Sequence, residues 1–154
     1  MDLSLLCYLG LQGFDVMRGV PHHGGLDHGI FNRFEKVLSG HFHVSSQRDN
    51  IQYLGTQLEF FWSDAHDEKG FHILNTKTRD LEKIVNKHTL FEHIIYDDSK
   101  VDYTLFDTSH LCNKFVKITV INKKDLFTFD RFVDKIQNES IHDLKIAENF
   151  SEFA

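Results

Sequence analysis

The sequence predicts a mixed α/β fold of the α+β kind, and three observations lead to this class. Short apolar runs with the two-residue alternation typical of strands recur through the first two thirds of the chain. Two of these runs flank turn-forming residues, as in a hairpin. A strand pattern, a helix pattern and a second strand pattern then follow one another. At 154 residues, the chain fits one domain, or one domain with a small second lobe.

The first part of the chain carries the predicted strands of a sheet. The apolar run "LSLLCYLGL" at 3–11 is predicted either to leave an uncovered apolar face or to pack as a central strand. The run "FEKVLS" at 34–39 is predicted to be a buried strand, and "IQYLGT" at 51–56 a further strand. The runs at 70–76 and 81–87 flank the turn-like "NTKTRD", which predicts an antiparallel hairpin.

The last part of the chain changes character and predicts a βαβ-like unit. "KFVKITVI" at 114–121 alternates, and "HDLKIAENF" at 142–150 alternates again. Between them, apolar residues recur at helical spacing: Leu126, Phe129, Phe132, Val133 and Ile136. We therefore expect two domains, 1–97 and 98–154.

Composition limits the classes of function. A net charge of −6 and a pI of about 6.0 argue against broad electrostatic binding of nucleic acid, so any DNA contact is expected to be local. The apolar N-terminal run lacks a basic flank and is too short to span a bilayer, which predicts neither a signal peptide nor a membrane helix. Cys7 and Cys112 form no C-x-x-C pair, which favours a reducing cytoplasm over a disulfide framework.

The strongest chemical motif is the stretch "GHFH", in which His41 and His43 follow Gly40. Eleven histidines among 154 residues produce about 0.8 His-x-His pairs by chance, so the spacing alone is weak evidence. The context adds to it, because a predicted buried strand ends at a glycine that permits a sharp turn. Imidazoles at i and i+2 leave an extended segment on one side, toward a shared ion. From these residues, a metal site and a chance pair both remain open.

A longer stretch, "VLSGHFHVSSQRDNIQYLGTQLEFFWSDAHDEKGFHILNTKT", resembles the final motif region of the calcineurin-like metallophosphoesterases. It is more similar to the SbcD-type recombination nucleases, and especially to the T4-type bacteriophage recombination endonuclease subunits. The residues that carry the resemblance are the G-H-x-H element at 40–43, the strand ending at 53–56 and the acidic loop closing at 69–71. Similarity runs from about Gly13 to the C-terminus, but only G-H-x-H is specific to the chemistry.

The resemblance implies a fold and a function. Residues 1–97 would be the C-terminal half of a metallophosphoesterase β-sandwich with flanking helices, and residues 98–154 the start of a DNA-capping lobe. His41 and His43 would be ligands in a dinuclear site that usually holds Mn²⁺ and serves phosphodiester hydrolysis. The implied partners are DNA, an SbcC-type ATPase subunit, and a missing N-terminal half or partner chain that carries the other metal motifs; no membrane partner is expected. The implied location is the cytoplasm of a bacterium or phage-infected host, and an orphaned half-domain is also expected to self-associate.

The sequence departs from the family at several ligand positions. The D-x-H, G-D-x-x-D and G-N-H-[DE] elements that precede G-H-x-H in the family are absent upstream of it here. When Gly13 and Phe14 are aligned, Tyr8 stands where the family has another histidine, and a phenol with a pKa near 10 is a poor ligand for Mn²⁺. Asp64-x-His66 matches D-x-H but follows G-H-x-H, so we interpret it as a coincidence in an acidic loop.

The remaining candidates have simpler interpretations. Three histidines in a glycine-rich loop are predicted to be solvated: His22, His23 and His28. The aromatic segment 59–62 is predicted to be core or a subunit contact. Four lysines stand among acidic residues and are predicted to form a mixed solvated surface: Lys114, Lys117, Lys123 and Lys124.

Three hypotheses about function follow, and whether the chain is itself an enzyme stays open among them. The first is a portion of a metal-dependent DNA endo/exonuclease subunit of recombination, repair or phage DNA metabolism, with an incomplete active site. The second is a catalytically inactive remnant or binding module of the same fold. The third is an unrelated mononuclear metal-binding protein that uses His41 and His43 with Asp64 or His66.

Overall fold

The computed structural model describes residues 4–148, which form two compact units, residues 4–88 and 89–148. Leu3 of the N-terminal apolar run, and Asn149 and Phe150 of the last predicted strand, lie outside the described residues. The predicted mixed α/β class is confirmed, because several small sheets and one α-helix make up the described chain.

The first unit is built on a four-stranded sheet with the order β1-β4-β6-β5. The strands are β1 (Ser4–Cys7), β4 (Lys36–Ser39), β5 (Ser46–Arg48) and β6 (Ile51–Tyr53). β4 is the predicted buried strand, and it pairs in parallel with both β1 and β6. Within this sheet, only β5 and β6 pair in the antiparallel sense. Parallel pairing places the ends of β1 and β4 at the same edge of the sheet, and the loops that follow them meet there.

β1 lies at the edge of this sheet. Its partner on one side is β4, and no other described strand pairs with it. Leu5 and Cys7 pack against the core, whereas Leu6 and Tyr8 are 74% and 73% exposed. The central-strand interpretation of the N-terminal run is therefore wrong within the described residues, and the interpretation as an uncovered apolar face fits the structure.

Two antiparallel hairpins complete the first unit. The shorter pairs β2 (Asp15–Met17) with β3 (Val20–Pro21). The longer pairs β7 (Gly70–Leu74) with β8 (Leu81–Val85), which confirms the predicted hairpin. Residues 4–88 contain two short 3-10 turns and no α-helix, so the flanking helices expected for this half do not occur in that range.

The second unit is a three-stranded parallel sheet with one helix. Its strands, in the order β11-β10-β9, are β9 (Phe91–Asp97), β10 (Phe115–Asn122) and β11 (Asp143–Glu148). The helix α1 (Leu126–Gln137) connects β10 to β11, which confirms the βαβ-like unit. One face of the sheet and one face of the helix form the core, with Val116, Ile118, Phe129, Phe132 and Ile136 buried.

The division between the units lies earlier than the sequence indicates. The chain divides between His88 and Thr89, whereas the sequence placed the boundary between Asp97 and Asp98. The difference is strand β9, which pairs with β10 in the second sheet and so belongs to the second unit. None of the helices within residues 4–148 is long and apolar enough to cross a membrane.

Candidate metal centre

The G-H-x-H element follows directly after β4, as the sequence predicts, but the strained residue is not the glycine. His41 has a φ of +88°, in the left-handed region that side chains other than glycine rarely adopt. At Gly40, a Cβ would lie 2.8 Å from Cδ2 of Tyr8, so a larger residue there would displace the exposed Tyr8 ring. Tyr8 in turn meets the His41 ring edge-on, with the ring centroids 5.2 Å apart. The backbone conformation at His41 costs about 1–3 kcal/mol, and such strain concentrates at functional sites.

His43 is held in one orientation by a buried carboxylate. Its Nδ1 lies 3.1 Å from both carboxylate oxygens of Asp64, and its ring stacks on Phe61 at 5.4 Å. Because Asp64 accepts the hydrogen bond, Nδ1 carries the proton and Nε2 presents its lone pair. Metal-ligating histidines are fixed by carboxylates in the same way. This half-buried imidazole therefore has the tautomer and the support of a metal ligand.

Asp64 is the centre of a buried hydrogen-bonded cluster. Its carboxylate accepts hydrogen bonds from the amides of Phe60 and Phe61 at 2.9 and 3.0 Å and from Nζ of Lys69 at 3.1 Å, in addition to the bond from His43. Burial alone would raise the pKa of Asp64, but these hydrogen bonds outweigh it and lower the pKa below its usual range. The carboxylate therefore stays ionised.

The prediction that Asp64 is a solvated acid is wrong, because its side chain is 2% exposed. The interpretation of the D-x-H match as a coincidence is not contradicted. Both carboxylate oxygens of Asp64 accept hydrogen bonds, so Asp64 positions His43 and is not available as a metal ligand. His66, the other half of the D-x-H match, is exposed. The hypothesis of a mononuclear site that uses Asp64 as a ligand therefore loses its oxygen donor.

His41 has a different set of neighbours, and one of them is a loop histidine. The Nε2 atoms of His41 and His22 would each lie 3.4 Å from a Cβ built on Gly10. His22 is half-buried, with its ring 5.3 Å from that of Phe42, so the prediction that it is solvated is wrong. Its neighbour His23 is exposed, as predicted. Eighteen intervening residues separate His22 from His41 in the chain, and no local pattern links them.

Among residues 4–148, no group of three or more histidine, cysteine, aspartate or glutamate side chains is arranged to hold a metal ion. His41 and His43 are therefore two imidazole donors without oxygen ligands from the described chain. Mn²⁺ prefers several oxygen ligands. The residues present fit one part of a Mn²⁺ site, the imidazole part.

A cavity of about 350 Å³ lies beside His43, lined by two cations and their carboxylate partners. Arg18 pairs with Asp67 at 2.7 Å, and Lys83 pairs with Glu68 at 2.8 Å. The two cations and the two carboxylates balance in charge, so an anionic group at this cavity has to replace a carboxylate as the partner of Arg18 or Lys83. The cavity borders His43.

The aromatic segment and the lysines complete the comparison with the sequence. Phe60 and Phe61 are 54% and 62% exposed beside His43, so they are not core residues. Of the four lysines, Lys114 pairs with Glu92 and Lys123 with Glu148, which fits the predicted mixed surface.

Comparison with known proteins confirms the resemblance to nuclease subunits of the SbcD type that is stated above. No family model matches the chain. The chain is 31% identical to Exonuclease subunit 1 of Enterobacteria phage T4 over 138 residues, which are 88% of this chain and 38% of that relative. It is 33% identical to a subunit of Nuclease SbcCD of Staphylococcus saprophyticus over 64 residues, 40% of this chain and 16% of that relative. The chain thus spans well under half the length of either curated relative.

Proposed function

We propose that the chain is a portion of a metal-dependent DNA nuclease subunit that acts in recombination, repair or phage DNA metabolism, in the cytoplasm of a bacterium or a phage-infected host. His41 and His43 are its imidazole ligands for Mn²⁺, and the first unit corresponds to part of a metallophosphoesterase sandwich. The similarity to two nuclease subunits supports the class of function. The observation that carries the site is the hydrogen bond from Nδ1 of His43 to buried Asp64.

This hydrogen bond supports the proposal because it leaves one imidazole nitrogen available. Nδ1 donates to Asp64, so the Nε2 lone pair remains for a ligand. When bound, the metal ions would stabilise negative charge on a scissile phosphodiester. The protein's own contribution is to hold the His43 ring in place through Asp64 and Phe61, without a search among rotamers.

The cations beside His43 give the substrate class further support. Arg18 and Lys83 line the adjoining cavity, and a DNA phosphate can replace their carboxylate partners. Arg18 is the more accessible cation, since its side chain is 70% exposed. Contact would be local, as the acidic composition requires.

The ligands missing from this sequence imply a complementing segment. The family's D-x-H, G-D-x-x-D and G-N-H-[DE] elements would supply the oxygen ligands, either from the same polypeptide or from a second chain. The edge of β1 that is free of other described strands, with Leu6 and Tyr8 exposed, is a surface that such a segment can cover. An SbcC-type ATPase subunit is the further partner that the family implies.

The test is reconstitution. A chain that carries the three missing elements is co-expressed with this one, and cleavage of linear DNA is measured with Mn²⁺. We expect cleavage by the pair, and its loss in His41→Ala and in His43→Ala. His23→Ala is the control, because this exposed histidine lies outside the proposed site.

Two results would contradict the proposal in different ways. Equal cleavage by a pair lacking both His41 and His43 would show that the metal assignment is wrong. Formation of a stable complex that does not cleave DNA would favour the hypothesis of an inactive remnant over that of a nuclease subunit. The first explanation would then be Tyr8, which stands at the position where the family has a histidine.

The isolated chain gives a second measurement. We expect weak Mn²⁺ binding in calorimetry and no metal-dependent cleavage, because two imidazoles are too few ligands for an ion that prefers oxygen. Cleavage by the pure chain would overturn this expectation.

A further inference from the structure

The loop histidine His22 and the motif histidine His41 both lie next to Gly10. A Cβ built on Gly10 would lie 3.4 Å from Nε2 of His22 and 3.4 Å from Nε2 of His41. The two nitrogens are therefore at most twice that distance apart, and both border the space that a side chain at position 10 would fill. Nε2 is an imidazole atom that can bind a ligand.

The backbone of His22 is held by hydrogen bonds, and the rings of both histidines have a common neighbour. The amide of His22 donates to the carbonyl of Phe14 at 2.7 Å, and its carbonyl accepts from the amide of Gly13 at 2.8 Å. The rings of His22 and His41 both pack against Phe42, with centroids 5.3 and 5.0 Å from it. Phe42 is itself 5% exposed. A loop histidine in free solution would have none of these contacts.

Two further glycines lie close to Nε2 of His22. A Cβ on Gly25 would lie 3.1 Å from Nε2 of His22 and 2.3 Å from the carbonyl oxygen of Gly10, and a Cβ on Gly24 would lie 3.7 Å from the same Nε2. The amide of Leu26 donates to the carbonyl of Gly10 at 3.1 Å, which keeps this loop against Gly10. The loop thus brings the imidazole close to His41 and leaves room at Gly10.

The chemistry of this pair differs from that of a manganese site. Within residues 4–148, neither the His22 ring nor the His41 ring makes a side-chain hydrogen bond, so the lone pairs remain available. Two imidazoles and no carboxylate favour zinc, copper or nickel, whereas Mn²⁺ prefers oxygen ligands. Zinc binds histidine nitrogen at about 2.0–2.1 Å and fills its remaining positions with water or another ligand.

We propose that His22 and His41 together form a two-imidazole site for a divalent ion of the zinc class. The site shares His41 with the proposed nuclease centre but requires neither a second chain nor nuclease activity. His22 is thus a metal-binding residue that lies outside the G-H-x-H motif. A rotation of the two side chains into the space at Gly10 brings both nitrogens onto one ion.

The experiment is calorimetric titration of the 154-residue chain with ZnCl₂ at neutral pH, with Co²⁺ absorption as a direct measure of the ligands. We expect His22→Ala and His41→Ala each to weaken Zn²⁺ binding by at least about 10-fold, a loss that removal even of a residue supporting a ligand can cause. His23→Ala, an exposed neighbour on the same loop, should bind as the unaltered chain does. Mn²⁺ should bind more weakly than Zn²⁺.

A second variant keeps both histidines and changes only the space between them. Gly10→Ala places a methyl group 3.4 Å from each Nε2, a distance that the folded chain tolerates, and should weaken Zn²⁺ binding and alter the Co²⁺ spectrum. Equal Zn²⁺ affinity in His22→Ala, or an equal loss in His23→Ala, would show that the ion binds elsewhere and would overturn the proposal. No DNA or partner chain enters the titration, so its outcome is independent of the reconstitution test.

Discussion

Replacement of Asp64 by alanine should strongly destabilise the first unit. The substitution removes the acceptor for the amides of Phe60 and Phe61 and the nearest charge partner of Lys69, which is 3% exposed. Loss of one partner of a buried ion pair costs about 3–5 kcal/mol. Lys69 keeps a contact with Asp67 at 3.6 Å and donates to the carbonyl of His43 at 2.9 Å, so we expect the lower end, about 3 kcal/mol.

Urea denaturation is a suitable assay, because the sequence contains one tryptophan, Trp62, two residues from the substitution. Its fluorescence reports the first unit directly. Glu68→Gln is the matched control in the same loop: Glu68 is exposed and pairs with Lys83 at 2.8 Å, an ion pair worth at most about 1 kcal/mol. Asp64→Asn retains an amide oxygen as an acceptor, so its loss of free energy of unfolding should lie between those of Asp64→Ala and Glu68→Gln.

The outcome that refutes the reasoning is specific. If Asp64→Ala unfolds within about 0.5 kcal/mol of the unaltered chain, as an ordinary surface substitution does, the buried cluster around Asp64 does not exist in solution. The support it gives to His43 would then be lost as well.

Four further predictions concern other parts of the molecule. Gly70→Ala should lower the free energy of unfolding, measured in urea, by about 1–3 kcal/mol, because its Cβ would meet the carbonyl oxygen of Ile84 at 2.2 Å. Gly40→Ala should lower it by less, since the exposed Tyr8 ring can move away. Equal losses of stability in the two variants would contradict this. The pKa of Asp97 is lowered by hydrogen bonds from the Ser99 hydroxyl and from Lys100, against the effect of burial, and Asn122 adds a further hydrogen bond. The stability that this carboxylate contributes is therefore complete above about pH 4 and decreases as pH falls toward the pKa of the folded state. The free energy of unfolding of Asp97→Asn should accordingly fall less steeply with decreasing pH than that of the unaltered chain. An equally steep fall in both proteins would exclude this carboxylate as a cause of the loss of stability in acid. The chain should self-associate in sedimentation velocity through the edge of β1, and Leu6→Lys should reduce this association; a clean monomer that binds no hydrophobic dye would count against it.

The elements that the sequence predicted are those that local periodicity determines. The β10-α1-β11 unit has alternation and helical spacing over long stretches, and the β7-β8 hairpin has its turn residues in place. β9 was missed, although Phe91, Ile94 and Tyr96 are buried, because Glu92, His93 and Ile95 interrupt a simple alternation. The position of β1 at a sheet edge depends on pairing with residues 32 positions away, which local pattern does not contain.

The site was predicted only in part, for the same physical reason. The G-H-x-H element is local, so the sequence located His41 and His43 directly. The partner of His43 is Asp64, 21 residues away, and its burial depends on Lys69 and on two backbone amides that a sequence does not show. His22 reaches His41 only because the loop closes over Gly10. An acid or a histidine in a polar loop has the same local pattern whether it is solvated or buried.

The left-handed backbone conformation at His41 lowers the stability of the folded chain. Glycine or asparagine adopts a φ of +88° at lower cost than histidine, so His41→Gly and His41→Asn should raise the free energy of unfolding. Either substitution removes the imidazole that the proposed metal centre needs. The extra stability of the His41→Asn variant would measure what the histidine side chain costs the fold at this position.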